Sequence, residues 1–257
     1  MALDQPGGRP GNLTPEQELR LKELWISLYE VLGVIESDNL GAGGESPNPS
    51  KKKGRLSWLS RHSPKGSPEI GSESDMADDK HGLSKEFRRV LASQSKESIR
   101  RSFWDMTKND NPDAILLRFL RARKWDVHDA LVMMISAFHW RSVDMKVDDE
   151  LVAKGEAGFL EISRSGTGTE KKDAADFTSQ FHMGKSMVHG LDKENRPITI
   201  VRARLHHPGN ETEKSLEMYT VFVIETARLM LRPPVDTAVS DTDSKQPIHT
   251  LMRIDRP

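Results

Sequence analysis

The chain has 257 residues, of which 35% are apolar and 30% charged, and its formal net charge is −1. That balance provides no overall field to draw it to nucleic acid or an anionic membrane, so any such attraction must come from a local patch. The apolar fraction is low for a chain folded throughout, which predicts a disordered portion, and the lack of cysteine excludes disulfides and thiol catalysis. The amino terminus shows no basic stretch followed by an apolar core, and the longest apolar runs are too short to span a bilayer. A soluble, cytoplasmic protein is expected.

The first predicted element is an amphipathic helix within residues 13–35. Thr14 stands before Pro15 as a cap, Gln17 occupies the reciprocal capping-box position, and Leu21, Leu24, Trp25, Leu28 and Leu32 share a face up to Gly33. That face either docks on the chain's own core or binds a partner, reached through the linker that follows. Residues 36–82 are rich in Ser, Gly, Pro, Lys and Asp, with too little apolar content to offset the entropy of ordering a backbone. They read as a disordered linker. Within it, Lys51, Lys52, Lys53 and Arg55 precede Trp58, a combination that suits contact with anionic lipid and also fits a solvated charge run or a nuclear-import signal. Ser46, Ser63 and Ser67 each precede proline, so phosphate added there would weaken a membrane contact.

A helical module is predicted over residues 83–149. Phe87, Val90 and Leu91 mark a helix after Ser84, and Ile99, Phe103 and Met106 mark another after Ser95. Pro112, capped by Asn111 or Asp110, opens a third helix whose Ile115, Leu116, Phe119, Leu120 and Ala122 face one way while Arg118, Arg121 and Lys124 face the other. Arg123 breaks the pattern by falling inside the apolar arc. It reads either as a cation beside the carbonyl end of its helix or as part of an anion site. Asp126 then caps a fourth helix with a stripe of Val127, Leu131, Met134, Ile135 and Phe138, each of which contributes about 1.5–3 kcal/mol if fully buried.

The run LLRFLRARKWDV, followed by a helix ending in Trp140-Arg141, resembles the amino-terminal helical module of the CRAL-TRIO lipid-binding family. The resemblance is nearest to the fungal phosphatidylinositol transfer group. It implies an all-helical amino-terminal module leading into an α/β lipid-binding domain, and it implies that Arg123 and Lys124 help hold an inositol phosphate headgroup.

Residues 163–175, SRSGTGTEKKDAA, show no periodicity and are predicted to form a surface loop. Residues 185–190 and 198–204 read as two strands of a hairpin around LDKENRP, with Pro197 at a position where no ladder donor is lost. A long helix is expected over residues 213–231, through Leu216, Tyr219, Val223, Ala227 and Met230, until Pro233-Pro234. HGLDKENRPI also resembles the family's lipid domain, so residues 150–238 are expected to form a partial CRAL-TRIO lipid-binding domain.

After that helix a buried parallel strand should follow, yet VSDTDSKQPIHTLMRIDRP carries no such apolar run. Residues 239–257 therefore read as a non-family tail, and Val239-Ser240 matches the translation of a common intron donor, which predicts a retained intron and a truncated lipid domain. Poor lipid transfer is the corresponding expectation, since each methylene left wet forfeits about 0.8 kcal/mol.

His206-His207 precedes Pro208-Gly209 and suits a turn rather than a zinc site; His189 suits a strand, and the GTG of residues 166–168 lacks phosphate-loop spacing. No catalytic constellation is found, so an enzyme is not expected, nor a metal or cofactor. The resemblance implies phosphatidylinositol or another phospholipid as ligand, a monomer that visits membrane surfaces transiently, and phospholipid transfer between membranes. The alternative is a regulatory protein that uses the amino-terminal helix and basic linker without moving lipid.

Overall fold

Thr14 and Gln17 close a reciprocal cap: the Gln17 N–H donates to Thr14 Oγ1 at 3.3 Å and the Thr14 N–H to Gln17 Oε1 at 3.0 Å. Helix α1 (Pro15–Val31) starts there. The computed structural model describes residues 7–35, 83–108 and 110–242, and these divide into two compact units, one ending at His139 and one beginning at Trp140. Residues 36–82, where a disordered linker with Lys51, Lys52, Lys53, Arg55 and Trp58 is expected, lie outside the described residues, as do residues 243–257.

The first unit is all-helical. After α1 it contains α2 (Leu83–Ser93), α3 (Lys96–Thr107, capped by Ser95), α4 (Pro112–Ala122) and α5 (Val127–His139). Asn111 accepts from the Asp113 N–H at 2.9 Å and Asp126 from the Asp129 N–H at 2.8 Å, which fixes the start of each of the last two helices. Helix α5 is the hub, packed against α1, α2, α3 and α4. Its Leu131, Met134, Ile135 and Phe138 join Leu24, Leu28, Phe87 and Phe103 in one core.

Helix α1 belongs to that core. Leu24 and Leu28 are fully buried, Trp25 Nε1 donates to Asp113 Oδ1 at 2.7 Å, and Arg100 Nη2 donates to the Leu32 carbonyl at 2.8 Å. Of the two readings of its apolar face, docking on the chain's own core is the one observed. The unit closes at His139, earlier than the boundary at Asp149 expected from the pattern.

The second unit opens with two π-helical turns (Trp140–Asp144 and Val147–Val152), followed by α6 (Ala153–Ser165) and α7 (Gly168–Met183). The predicted loop over residues 163–175 is thus incorrect: only Gly166 and Thr167 interrupt helix. The face that α7 buries is half polar, with Asp173, Thr178 and Gln180 beside Ala174 and Phe177, so no apolar period shows in the sequence. Most of those polar atoms find partners, the buried Gln180 Oε1 being the exception. Thr178 Oγ1 donates to the Ala174 carbonyl at 2.8 Å, and Asp173 Oδ1 accepts from Thr212 Oγ1 at 2.7 Å.

Strands β1 (Ser186–Leu191) and β2 (Pro197–Val201) form the expected antiparallel hairpin, pairing Ser186 with Val201 and Val188 with Thr199. Asp192 builds its turn by accepting the N–H groups of Glu194 and Arg196 at 3.0 and 2.8 Å. A 3₁₀ turn (Ala203–Leu205) takes the place of the second strand's expected end; His206 caps it, and His207 accepts from the Asn210 N–H at 3.2 Å. Helix α8 (Glu213–Leu229) follows, capped by Thr212.

A parallel strand does come next. β3 (Val239–Thr242) pairs with β2, Ile198 opposite Val239 and Val201 opposite Thr242, which gives a mixed sheet of order β1-β2-β3. The expectation that no strand follows the helix is therefore corrected. β3 is short and its Ser240 and Asp241 are exposed, so it carries none of the continuous apolar signal of a buried parallel strand. A helical unit followed by an α/β unit is the overall class.

Candidate functional site

The joint between α4 and α5 is built from backbone hydrogen bonds. The Arg123 N–H donates to the Phe119 carbonyl at 3.0 Å, the Lys124 N–H to Arg121 at 3.2 Å, the Trp125 N–H to Leu120 at 2.7 Å and the Asp126 N–H to Arg123 at 3.0 Å. Closing the helix this way turns two successive residues left-handed, Lys124 at φ +52° and Trp125 at φ +69°, although neither is glycine. The Trp125 ring packs on the helical core, while Lys124 stays exposed and Arg123 is half-buried at the cap.

The basic residues of this segment divide into two kinds. Arg118 lies 3.7 Å from the Asp110 carboxylate, and Arg121 Nη1 donates to the Gly8 carbonyl at 2.7 Å. Neither Arg123 nor Lys124 makes a side-chain hydrogen bond or ion pair among the described residues. Two adjacent cations at a helix terminus, held on a closed backbone and not neutralised there, suit an anionic oxygen ligand. Asp126, His128 and Asp129 cluster nearby at the start of α5, exposed, and Asp126 is occupied as the helix cap.

A second group of charges lies inside the α/β unit. Arg141 Nη1 and Nη2 donate to Glu225 Oε1 and Oε2 at 2.6 and 2.8 Å, and Nη2 also donates to Asp148 Oδ1 at 3.1 Å. Burial opposes the Arg141 charge, but the hydrogen bonds and field of Glu225 and Asp148 outweigh it and hold the guanidinium above its ordinary pKa. Lys185 Nζ donates to Glu211 Oε1 at 2.5 Å, with both side chains buried. Tyr219 Oη donates to the Ser186 carbonyl at 2.6 Å and accepts from the Ser186 N–H at 2.8 Å, tying α8 to β1. These groups escaped the sequence reading because each partner lies on another element, and a single sequence holds no signal for such a pairing.

Two family matches fall on these elements. Residues 84–136 match the family described as CRAL/TRIO, N-terminal domain, and residues 181–246 match the CRAL/TRIO domain. This chain carries the CRAL-TRIO N-terminal and CRAL-TRIO domains. A CRAL-TRIO domain-containing protein of Schizosaccharomyces pombe is 34% identical over 249 residues, covering 92% of this chain and 53% of the relative. The phosphatidylinositol transfer protein CSR1 of Eremothecium gossypii is 32% identical over 257 residues, covering 90% of this chain and 56% of the relative. The chain thus spans about half the length of the curated relatives it matches.

In this CRAL-TRIO chain Arg123 and Lys124 fall within the first match, and β1, β2, α8 and β3 within the second. The second match also runs through Val239-Ser240, where the sequence reading sets the start of a non-family tail. Among the described residues no helix is long and apolar enough to cross a membrane.

Proposed function

We propose that this CRAL-TRIO chain binds phospholipid and acts in its transfer between membranes, with Arg123 and Lys124 holding the phosphate of an inositol headgroup. The observation that carries the reading is a contrast along one helix: Arg118 and Arg121 are engaged by the protein, whereas among the described residues no hydrogen-bonding or charged partner meets the side chains of Arg123 and Lys124. The family match and the similarity to a phosphatidylinositol transfer protein support the same reading. A guanidinium and an ammonium group on consecutive residues suit a phosphodiester, the first by its planar fork and the second as a point charge. The ligand takes the place of a cofactor, and an intracellular membrane surface is where it is collected and delivered.

Transfer of fluorescent phosphatidylinositol and phosphatidylcholine between vesicles tests this. Charge-assisted hydrogen bonds contribute about 1.5–3 kcal/mol each, so Arg123→Ala with Lys124→Ala should lower inositol-lipid binding on the order of tenfold or more. Phosphatidylcholine carries the same phosphodiester beside a trimethylammonium that the two cations repel, so its binding should fall clearly less. Equal loss for both lipids, or none for either, would overturn the assignment.

A further inference from the structure

The residues on either side of the basic pair are both held by a single glycine near the amino terminus. Arg121 donates to the Gly8 carbonyl at 2.7 Å, and the Trp125 ring lies against the Gly8 α-carbon so closely that a β-carbon there would stand 3.0 Å from Trp125 Cζ2 and 3.5 Å from Arg121 Cδ. Gly8 is buried and has φ +77°, a conformation other residues rarely adopt. Its turn is closed by the Gly8 N–H donating to the Asn12 carbonyl and the Asn12 N–H to the Arg9 carbonyl, both at 2.9 Å. Leu13 on the core and the Thr14 cap then fix the turn to α1.

The sequence gives this segment no role, yet it grips Arg121 and Trp125, and the residues between those two include Arg123 and Lys124. We propose that the turn of residues 8–12 is a positioning element for the headgroup site, with Gly8 as the residue that gathers Arg121 and Trp125. The inference rests on the headgroup reading above. Lys124 and Trp125 both occupy the left-handed region, and a joint of that kind persists only where its surroundings over-determine it. The clasp on Arg121 and Trp125 supplies that constraint from outside the α4 and α5 backbone. Without it the joint samples other geometries, and the backbone that carries the two cations is no longer fixed.

Water-soluble glycerophosphoinositol, glycerophosphocholine and inorganic phosphate, titrated into the full chain by calorimetry, test the proposal and separate a headgroup site from a general phosphate site. Gly8→Val places carbon against Trp125, Arg121→Met removes the donor while keeping the stem, and Arg121→Lys restores a donor. If the competent geometry falls to about a tenth of the population, apparent affinity for glycerophosphoinositol falls on the order of tenfold. Arg121→Lys should recover part of that loss. In a chain already carrying Arg123→Ala and Lys124→Ala, Gly8→Val and Arg121→Met should have no further effect on binding, which a merely structural role would not produce.

Losses that add independently to those of the alanine pair would overturn the positioning role, as would unchanged affinity in both Gly8→Val and Arg121→Met. If Gly8→Val does not fold, Arg121→Met decides by the same cycle. Binding that survives the alanine pair intact would overturn the headgroup reading itself, a result distinct from failure of the clasp alone. Inorganic phosphate bound as tightly as glycerophosphoinositol would show that the clasp serves free phosphate and would overturn its link to lipid.

Discussion

Arg141 and Glu225 face each other through two parallel hydrogen bonds of 2.6 and 2.8 Å, joining the first π-helical turn of the second unit to α8 across 84 residues of sequence. Both side chains are largely buried, and Arg228 stands 3.6 Å from the second Glu225 oxygen. Removing one member of a buried pair costs about 3–5 kcal/mol because the other is left charged and unpaired. Arg141→Met should fall near the lower end, since Arg228 remains beside Glu225. The double variant Arg141→Met with Glu225→Leu should lose clearly less than the sum of its singles in urea denaturation. Additivity within about 0.5 kcal/mol would mean that the pair is not coupled.

Helix α1 has the same test of belonging. Leu28 is fully buried in the core shared with α5, so Leu28→Ala should lower stability by about 2–5 kcal/mol, with the loss seen as an earlier thermal transition. A helix that served a separate partner would leave the transition where it was.

The difference between α5 and α7 shows what the sequence could reveal. The buried stripe of α5 is apolar at helical spacing, so its period, its Asp126 cap and its place in the core are all legible. The buried face of α7 carries Asp173, which accepts from Thr212, Gln180, which donates to Ser215, and Thr178, which donates back to the Ala174 carbonyl of the same helix, and its spacing says nothing. β3 is illegible for a related reason: four residues paired with β2 through backbone hydrogen bonds need no apolar run. At the candidate site the unusual position of Arg123 is visible in the sequence, whereas the contact of Arg121 and Trp125 with Gly8 spans more than 110 residues and is not.

Tyr219 links the alkaline limb of stability to the α8–β1 contact. Burial pushes its phenol pKa above the ordinary value, and the hydrogen bond with Ser186 partly offsets that effect. Because the folded value is the higher one, the neutral phenol favours the fold. This contribution is complete below the unfolded value of about 10 and is lost as pH rises through the folded one. Urea midpoints measured between about pH 9 and pH 11 should therefore fall more steeply for the native chain than for Tyr219→Phe. At neutral pH the same variant should be less stable by about 1 kcal/mol, having lost the hydroxyl that serves both Ser186 groups. Parallel alkaline slopes would remove Tyr219 from the account.

Lys124 separates stability from function at the joint. A side chain at φ +52° costs roughly 1–2 kcal/mol relative to the right-handed helical region, whereas glycine adopts that conformation freely. Some of the gain from glycine returns as a larger entropy loss on folding, so Lys124→Gly should raise stability by about 0.5–1 kcal/mol. The same change removes one of the two cations and should weaken glycerophosphoinositol binding. Thermal unfolding and calorimetric titration of one variant then move in opposite directions, as expected where backbone strain is retained for the sake of a ligand. A Lys124→Gly chain that is more stable and binds as tightly as the native one would show that the lysine is not held there for the headgroup.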